Sequence, residues 1–144
     1  FESMRIGYGG QDPAVVPGGL GRNLGLHFSD EAFDPNESLL LLAELLGIEN
    51  SLERFISNSA DENGSVTLSG GEITRLELLR AHAEWPDVIF LDEPTTGLDD
   101  IIVERLVDFL NGAAAKYVLI SHDKKFIAGL QEAKILDFRL INRS

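Results

Sequence analysis

The stretch Val88-Ile89-Phe90-Leu91-Asp92-Glu93-Pro94-Thr95-Thr96-Gly97-Leu98-Asp99 decides the fold class of this chain. Its apolar run from Val88 to Leu91 predicts a strand of the kind that is buried on both faces of a parallel sheet. Two adjacent acids follow, and carboxylates at the end of such a strand are costly unless they face a solvated site or a cation. Because open α/β sheets bind ligands outside the carboxyl ends of their strands, Asp92 and Glu93 are candidate site residues.

Strands and helices alternate after this stretch. Asp99 is expected to cap a helix that runs through Leu110 and is closed by Asn111-Gly112. A second buried strand, a short helix and a last strand are predicted over Tyr117–Ile120, Lys124–Leu130 and Ile135–Ile141. This alternation predicts an α/β fold with a parallel sheet over residues 84–144.

The first half is predicted to be mostly helical. Met4–Tyr8 indicates a short strand that is broken at Gly9-Gly10-Gln11-Asp12-Pro13, so residues 1–19 form a strand and a loop. Residues 20–83 are expected to form a separate α-helical lobe. Its predicted parts are a helix from Asp34-Pro35 to Leu46 stopped by Gly47, a helix over Glu49–Ser57, a polar loop over Ser57–Thr67 and a helix over Gly70–Ala83.

The last of these helices is preceded by the segment Leu68-Ser69-Gly70-Gly71-Glu72. Free backbone N–H groups and the helix dipole make a helix N-terminus an anion site, and glycines let the backbone approach a ligand closely. The simpler interpretation is a serine-capped helix that begins with two glycines. Ser-Gly-Gly alone does not decide between the two.

In this order, Leu68–Glu72, Val88–Asp99 and Ser121-His122-Asp123 resemble the signature, the Walker B motif with its D-loop, and the H-loop of ATP-binding cassette (ABC) ATPases. The resemblance implies part of a P-loop NTPase sheet core with an inserted α-helical subdomain, and ATP and Mg²⁺ as cofactors. No G-x-x-x-x-G-K-[ST] phosphate loop occurs in the sequence. We therefore expect a truncated nucleotide-binding domain that is close to inactive by itself.

The resemblance assigns the hydrolysis site as follows. Asp92 would hold Mg²⁺, and Glu93 would be the general base that orients the attacking water. His122 would be the switch histidine at the γ-phosphate, and Gln11 would touch Mg²⁺ and the attacking water. Taken alone, these residues also fit a solvated acidic strand end, an ordinary surface or core histidine and a common turn.

The resemblance assigns a second group of residues to the nucleotide held by the opposite subunit. The segment Leu68 to Glu72 would bind the γ-phosphate there, and Asp99 in the D-loop would cross the dimer interface while also capping its helix. The implied partners are a second nucleotide-binding domain in a head-to-tail dimer and the transmembrane domain of a transporter. The implied location is the cytoplasmic face of the cell membrane.

The composition limits the possible partners. There are 24 Asp and Glu against 12 Lys and Arg, and a net charge of -12 argues against non-specific binding to nucleic acid or anionic lipid. The absence of cysteine excludes a disulfide framework and a Cys-ligated metal site. The longest apolar run, Leu39–Ala43, is far shorter than the roughly 20 residues that span a bilayer.

Several alternatives remain open at this stage. Gln11-Asp12-Pro13, with Gly18 and Asn23 following, looks most like the exporter branch of the family. A non-transport ABC ATPase of the chromosome-maintenance or DNA-repair kind is the second hypothesis. The third is a short regulatory protein, starting at Met4, that donates its signature loop in trans. Outside the motifs, two arginines are expected to pair with nearby acids and two histidines to be structural: Arg75, Arg80, His27 and His82.

Overall fold

A computed structural model describes residues 3–10, 23–24, 37–48, 68–83 and 86–133 of the chain. Within these residues the chain forms three strands and four helices, here numbered in chain order. They are β1 (Ile6–Gly9), α1 (Glu37–Leu45), α2 (Gly70–His82), β2 (Val88–Asp92), α3 (Asp100–Gly112), β3 (Lys116–Ile120) and α4 (Lys124–Gly129). None of the helices in this described part is long and apolar enough to cross a membrane.

The strands form a parallel sheet in the order β1-β2-β3, which confirms the predicted α/β class. Strand β2 lies in the centre of the three, with Gly9 opposite Leu91 and Asp92 opposite Ile120. Because the strands are parallel, their carboxyl ends meet at one edge of the sheet. The residues that follow β1, β2 and β3 are therefore brought close together.

Helix α2 begins where its sequence predicts. Ser69 is the N-cap, and Ser69 and Glu72 form a capping box: the Glu72 N–H donates to Ser69 Oγ at 3.4 Å, and the Ser69 N–H donates to Glu72 Oε2 at 2.8 Å. Such a pair satisfies two backbone donors that would otherwise lack partners at the helix start. The helix runs to His82 with Ala83 as its C-cap, so the prediction for this segment is confirmed.

One apolar core joins the helices to the sheet. Leu42 and Leu46 from the α1 region, Leu76 and Leu79 from α2, and Phe126 from α4 are fully or almost fully buried in the same cluster. Burying a leucine or phenylalanine side chain stabilises a fold by roughly 1.5–3 kcal/mol. The core therefore fixes α2, which carries the signature segment, against the strands that carry the acids.

The prediction that the strands are buried on both faces is wrong. Ile89 and Leu91 are buried on the side where α2 contacts β1 and β2. The opposite face, which we call the open face, exposes apolar side chains at Ile6, Tyr8, Phe90, Val118 and Ile120. The described helices that contact the sheet pack on one side of it, and side chains alternate between faces along a strand, so every second residue stays exposed.

Several element ends also differ from the predictions. Strand β1 covers Ile6–Gly9 instead of Met4–Tyr8, because Gly9 still pairs with Leu91. Helix α3 was expected to close at Asn111-Gly112 but includes both residues. The Asn111 side chain accounts for this: its amide donates to Gly129 O at 3.0 Å and accepts from the Gln131 N–H at 2.8 Å, which ties the helix end to the end of α4.

Other predictions are confirmed closely or lie outside the described residues. Helix α1 ends at Leu45, and Gly47 follows with φ 68, the left-handed conformation typical of a helix stop. Asp99 caps α3 as predicted, and Asp123, for which no cap was predicted, caps α4. The predicted helix start at Asp34-Pro35, the helix over 49–57, the loop over 57–67 and the strand over 135–141 are not covered by the described part.

Candidate functional site

The site is built at the carboxyl edge of the sheet, where β2 and β3 end. The Glu93 N–H donates to Ile120 O at 2.8 Å, which extends the pairing of the two strands by one residue. Glu93 has φ 50, a left-handed backbone conformation that few non-glycine residues adopt. Such strain persists where the surrounding structure determines it, and it is concentrated at functional sites.

The Glu93 carboxylate faces the segment that follows β3. Its Oε2 accepts from the His122 N–H at 3.2 Å and from Ser121 Oγ at 3.4 Å, and its Oε1 lies 3.5 Å from His122 Nε2. The Glu93 side chain is 16% exposed, whereas the His122 side chain is 96% exposed. The segment that follows β3 therefore holds the Glu93 carboxylate, and the exposed His122 imidazole can contact a ligand from solvent.

Asp92 is the next candidate, as a cation ligand. Its side chain is half-buried at the strand end, and no described residue donates a hydrogen bond to its carboxylate or forms an ion pair with it. The described residues contain no group of three or more His, Cys, Asp or Glu able to hold a metal. Mg²⁺ needs only one or two carboxylates when phosphate oxygens and waters complete its shell, so Asp92 fits that ion.

The signature segment offers a different surface at the N-terminus of α2. Ser69 and Gly70 are exposed, and a Cβ added at Gly70 would meet nothing within 4 Å. Both Ser69 donors are occupied by the acid of the capping box, since Ser69 Oγ and the Ser69 N–H each donate to Glu72 Oε2, at 2.5 and 2.8 Å. An arriving phosphate would therefore compete with the Glu72 carboxylate for the serine.

A cleft of about 160 Å³ lies between the ends of β1 and β2 and helix α2. Residues that line it include Gly10, Gly70, Glu77, Asp92 and Glu93. Small-molecule sites usually measure about 300–1,000 Å³, so this cleft has room for water or an ion but not for a nucleotide. This cleft by itself is therefore not a complete nucleotide pocket.

The D-loop residue Asp99 is confirmed as a helix cap. Its carboxylate accepts from the Ile102 N–H at 2.9 Å, and its side chain is 60% exposed. Arg75 lies 3.9 Å from Asp99, and Arg80 lies 2.9 Å from Glu77, so the prediction that both arginines pair with nearby acids is confirmed. The exposed part of Asp99 remains available to a partner.

His82 is remote from the carboxyl edge. Its Nδ1 lies 2.6 Å from Leu78 O, its Nε2 lies 3.1 Å from Tyr117 Oη, and its ring packs edge-on against Phe109. Burial lowers the pKa of His82 and raises the pKa of Tyr117 to about 12. These contacts connect α2 to β3 and support the structural role predicted for His82.

Some of the predicted site residues lie close together in the structure, and others lie outside the described residues. Asp92, Glu93 and His122 lie together at the carboxyl edge, and Ser69, Gly70, Gly71 and Glu72 lie together at the start of α2, after Leu68. Gln11 and His27 lie outside the described residues. The neighbour of Gln11, Gly10, is described, and its N–H donates to Glu77 Oε2 at 3.0 Å.

Sequence reasoning missed two residues that shape this region. Glu77 is buried, and its carboxylate joins Gly10 to Arg80. An acid inside the apolar run Leu76-Glu77-Leu78-Leu79, three residues before an arginine, is the signal that could have indicated it. Thr74 donates across to the D-loop, and nothing in the sequence pattern marks that contact.

The parallel sheet carries two adjacent acids and a histidine at its carboxyl edge, which is where open α/β sheets bind ligands. The family model described as "ABC transporter" matches residues 2–96. The chain therefore belongs to the ABC transporter family, whose members bind ATP.

Individual relatives agree with this family. The chain is 32% identical over 127 residues to an uncharacterised ABC transporter ATP-binding protein, YfmR, of Bacillus subtilis, and the match covers 88% of this chain and 19% of the relative. It is 40% identical over 81 residues to elongation factor 3B of Saccharomyces cerevisiae, covering 56% of this chain and 8% of the relative. The chain thus spans less than a fifth of the length of these two relatives.

The fold is also similar to a solved structure. A bacterial Atm1-family ABC exporter with ATP bound superposes with a TM-score of 0.61 over 86% of this chain and 22% of that chain. The sequence identity is 20%, so the likeness concerns the fold alone.

Proposed function

We propose that this chain is the ATP-hydrolysing part of an ABC protein, with Glu93 as the general base. The observation that carries the proposal is the meeting of Glu93 and His122 across the ends of β2 and β3, 3.5 Å apart. A carboxylate that is largely buried yet accepts hydrogen bonds from the next strand is fixed in orientation. A positioned base of this kind contributes on the order of 10²–10⁴ to a rate.

Each of the chain's own site residues has a separate role in hydrolysis. Glu93 accepts a proton from the attacking water, and the His122 N–H and Ser121 hydroxyl keep its Oε2 oriented. Asp92 and, by resemblance, Gln11 would hold Mg²⁺, which when bound neutralises charge on the phosphate oxygens. The exposed His122 ring would contact the γ-phosphate.

The signature segment serves the nucleotide of a second subunit in this proposal. Two features support it: Ser69 and Gly70 are exposed at the N-terminus of a 13-residue helix, and the cleft within one chain is too small for a nucleotide. A head-to-tail dimer would bring the signature segment and Asp99 of one subunit to the carboxyl edge of the other. The chain alone would bind ATP weakly, because its sequence contains no phosphate loop.

The cellular role is proposed more narrowly as transport. The family match and the exporter-like segment Gln11-Asp12-Pro13 support the nucleotide-binding part of an exporter, bound to a transmembrane domain at the cytoplasmic face of the cell membrane. The second candidate is a non-transport ABC ATPase, favoured by the yeast relative that is named an elongation factor. Fractionation of cells distinguishes them: an exporter part sediments with membranes, and a translation factor sediments with ribosomes.

The test of the catalytic proposal compares two glutamates in the intact natural protein. Glu93→Gln removes the base and keeps the side-chain shape, so ATP hydrolysis should fall by roughly 10²-fold or more while ATP binding persists. Glu44→Gln makes the same chemical change at an exposed position of α1 and should leave hydrolysis unchanged. Near-normal turnover in Glu93→Gln would exclude Glu93 as the base.

A further inference from the structure

The first turn of α2 lies directly on the D-loop of the same chain, a name used here for residues 94–99. A Cβ added at Gly71 would fall well inside contact distance of Gly97 O, and a Cβ added at Gly97 would lie 2.7 Å from Gly71 N. Gly97 also has φ 72, which glycine adopts without strain. The two glycines therefore allow a backbone-to-backbone contact between the signature segment and the loop that leads to Asp99.

Thr74 adds a directional bond to this contact. Its Oγ1 lies 2.6 Å from Thr96 O and 3.1 Å from Gly70 O. Both partners are carbonyl oxygens and a hydroxyl has one proton, so the shorter contact to the D-loop is the hydrogen bond. The Thr74 hydroxyl of α2 therefore donates its hydrogen bond to a loop residue 22 positions further along the chain.

The third contact between these segments is weaker. Arg75 Nη2 lies 3.9 Å from Asp99 Oδ2, at the limit of an ion pair, and Asp99 is 60% exposed. Exposed ion pairs contribute about 0–1 kcal/mol. Arg75 Nε is buried without a hydrogen-bond partner in the described part of the chain, so the arginine is not tightly engaged there. The specific coupling between α2 and the D-loop therefore rests on the glycine contact and on Thr74.

We infer that Thr74 is a positioning residue that couples α2 to the D-loop of its own chain. Under the proposed function, on which this inference rests, α2 presents the signature segment to the partner's nucleotide and the D-loop leads from the chain's own base, Glu93. The Thr74 hydroxyl then makes both segments move as one body. A change at one nucleotide is passed to the other site through this bond.

The first experiment needs no catalysis and uses the full 144-residue chain. Amide hydrogen exchange is followed at Thr96 and Leu98, whose N–H groups donate to Glu93 O and Thr95 O at 3.1 Å. Thr74→Val removes the hydroxyl at nearly constant shape and should speed exchange at both amides about 2- to 10-fold, the range of one hydrogen bond. Thr74→Ser keeps the hydroxyl and should match the wild type.

Two controls separate positioning from general loss of stability. Amides of the β2–β3 ladder, such as Lys116, whose N–H donates to Asp87 O, should exchange at wild-type rates in both variants. If Thr74→Val unfolds the chain, Gly97→Ala and Gly70→Ala replace it, because only the first adds an atom at the contact. The inference would be overturned if Thr96 and Leu98 exchange at equal rates in Thr74→Val and Thr74→Ser. Where the glycine variants are used, equal exchange of the two amides in Gly97→Ala and Gly70→Ala would overturn it.

The second experiment measures ATP hydrolysis in the intact natural protein. Thr74→Val should lower kcat several-fold with little change in KM, because Thr74 holds a loop and does not touch nucleotide, and Thr74→Ser should restore kcat. An active wild type with unchanged kcat in Thr74→Val would overturn the inference and leave the proposed function standing. A wild type without ATPase activity would overturn the proposed function, and the exchange experiment would still decide the coupling.

Discussion

The carboxyl edge of the sheet and the start of α2 use similar residue types, but their side chains are held in position in different ways. At the carboxyl edge, Glu93 is 16% exposed and is held by residues of the next strand, so its position depends on the register of β2 and β3. At the start of α2, Ser69 and Glu72 bond to each other, so their position depends on local helix chemistry. Contacts between neighbouring elements of the sheet position the first region, whereas hydrogen bonds within the start of α2 position the second, which faces outward.

This difference indicates which part of the site a partner must supply. An edge whose Glu93 is already oriented and whose Asp92 has no partner among the described residues needs a nucleotide and its metal. A helix N-terminus whose serine is engaged by its own glutamate needs a stronger acceptor to displace that glutamate, and a phosphate carries more charge than a carboxylate.

The largest effect concerns nucleotide binding by the 144-residue chain itself. Calorimetric titration with ATP and Mg²⁺ should detect no micromolar binding, because the cleft of about 160 Å³ and the single unpartnered carboxylate of Asp92 do not replace a phosphate loop. The same titration of the intact natural protein is the control. Micromolar, Mg²⁺-dependent binding to the chain alone would show that the carboxyl edge is a complete site.

The next effect separates the two adjacent glycines of the signature. Gly71→Ala forces a methyl group against Gly97 O and should destabilise the chain by about 1–3 kcal/mol, the usual cost of overpacking. Gly70→Ala meets no neighbour and should be neutral or stabilise the helix by up to about 1 kcal/mol. Urea unfolding curves measure both. Equal stability of the two variants would show that Gly71 does not lie on the D-loop.

These glycines also show how far the sequence could predict the site. The strand that begins at Val88, the start of α2 and the α/β class follow from local patterns and are confirmed, although the strand runs one residue further than predicted, to Asp92. The contact of Gly71 with Gly97 and the bond from Thr74 to Thr96 depend on tertiary packing, which leaves no periodic signal. The open face was missed for the same reason, since an apolar run does not show which of its faces a helix covers.

A smaller effect is expected from the pH dependence of stability. Burial lowers the pKa of His82 from its ordinary value of 6.5, so below that pH the unfolded chain binds more protons than the folded chain. The stability that the neutral ring contributes is complete above pH 6.5 and is lost as the pH falls toward the folded pKa. Unfolding curves between about pH 7.5 and pH 5.5 should therefore show a steeper loss for wild type than for His82→Gln.

The control for that measurement is a residue that does not titrate. Gln131 is exposed, so Gln131→Ala should keep the wild-type pH dependence. A His82→Gln curve parallel to the wild type would contradict the assignment of His82 as a buried neutral residue. This comparison probes the link between α2 and β3 without involving either part of the nucleotide site.

The smallest effect is expected from Glu72→Gln in the capping box. The glutamine keeps a hydrogen bond to the Ser69 N–H but removes a negative charge from the helix N-terminus, at a cost of about 0.3–1 kcal/mol of stability. The same change should strengthen ATP-dependent dimerisation of the intact protein, because the γ-phosphate no longer competes with a carboxylate for Ser69. Analytical ultracentrifugation with ATP measures this, and weaker dimerisation would indicate that Glu72 itself assists the phosphate.

The most direct test of the account asks which subunit's nucleotide the signature segment serves. Both subunits of the intact protein carry Glu93→Gln to trap ATP, one also carries Gly70→Asp, and the other a disabled phosphate loop. Gly70 is chosen because a side chain there meets no neighbour, whereas one at Gly71 would damage the D-loop of its own chain. The account predicts that both lesions fall on one site and that the other still traps ATP. Loss of trapped ATP from both sites would contradict it.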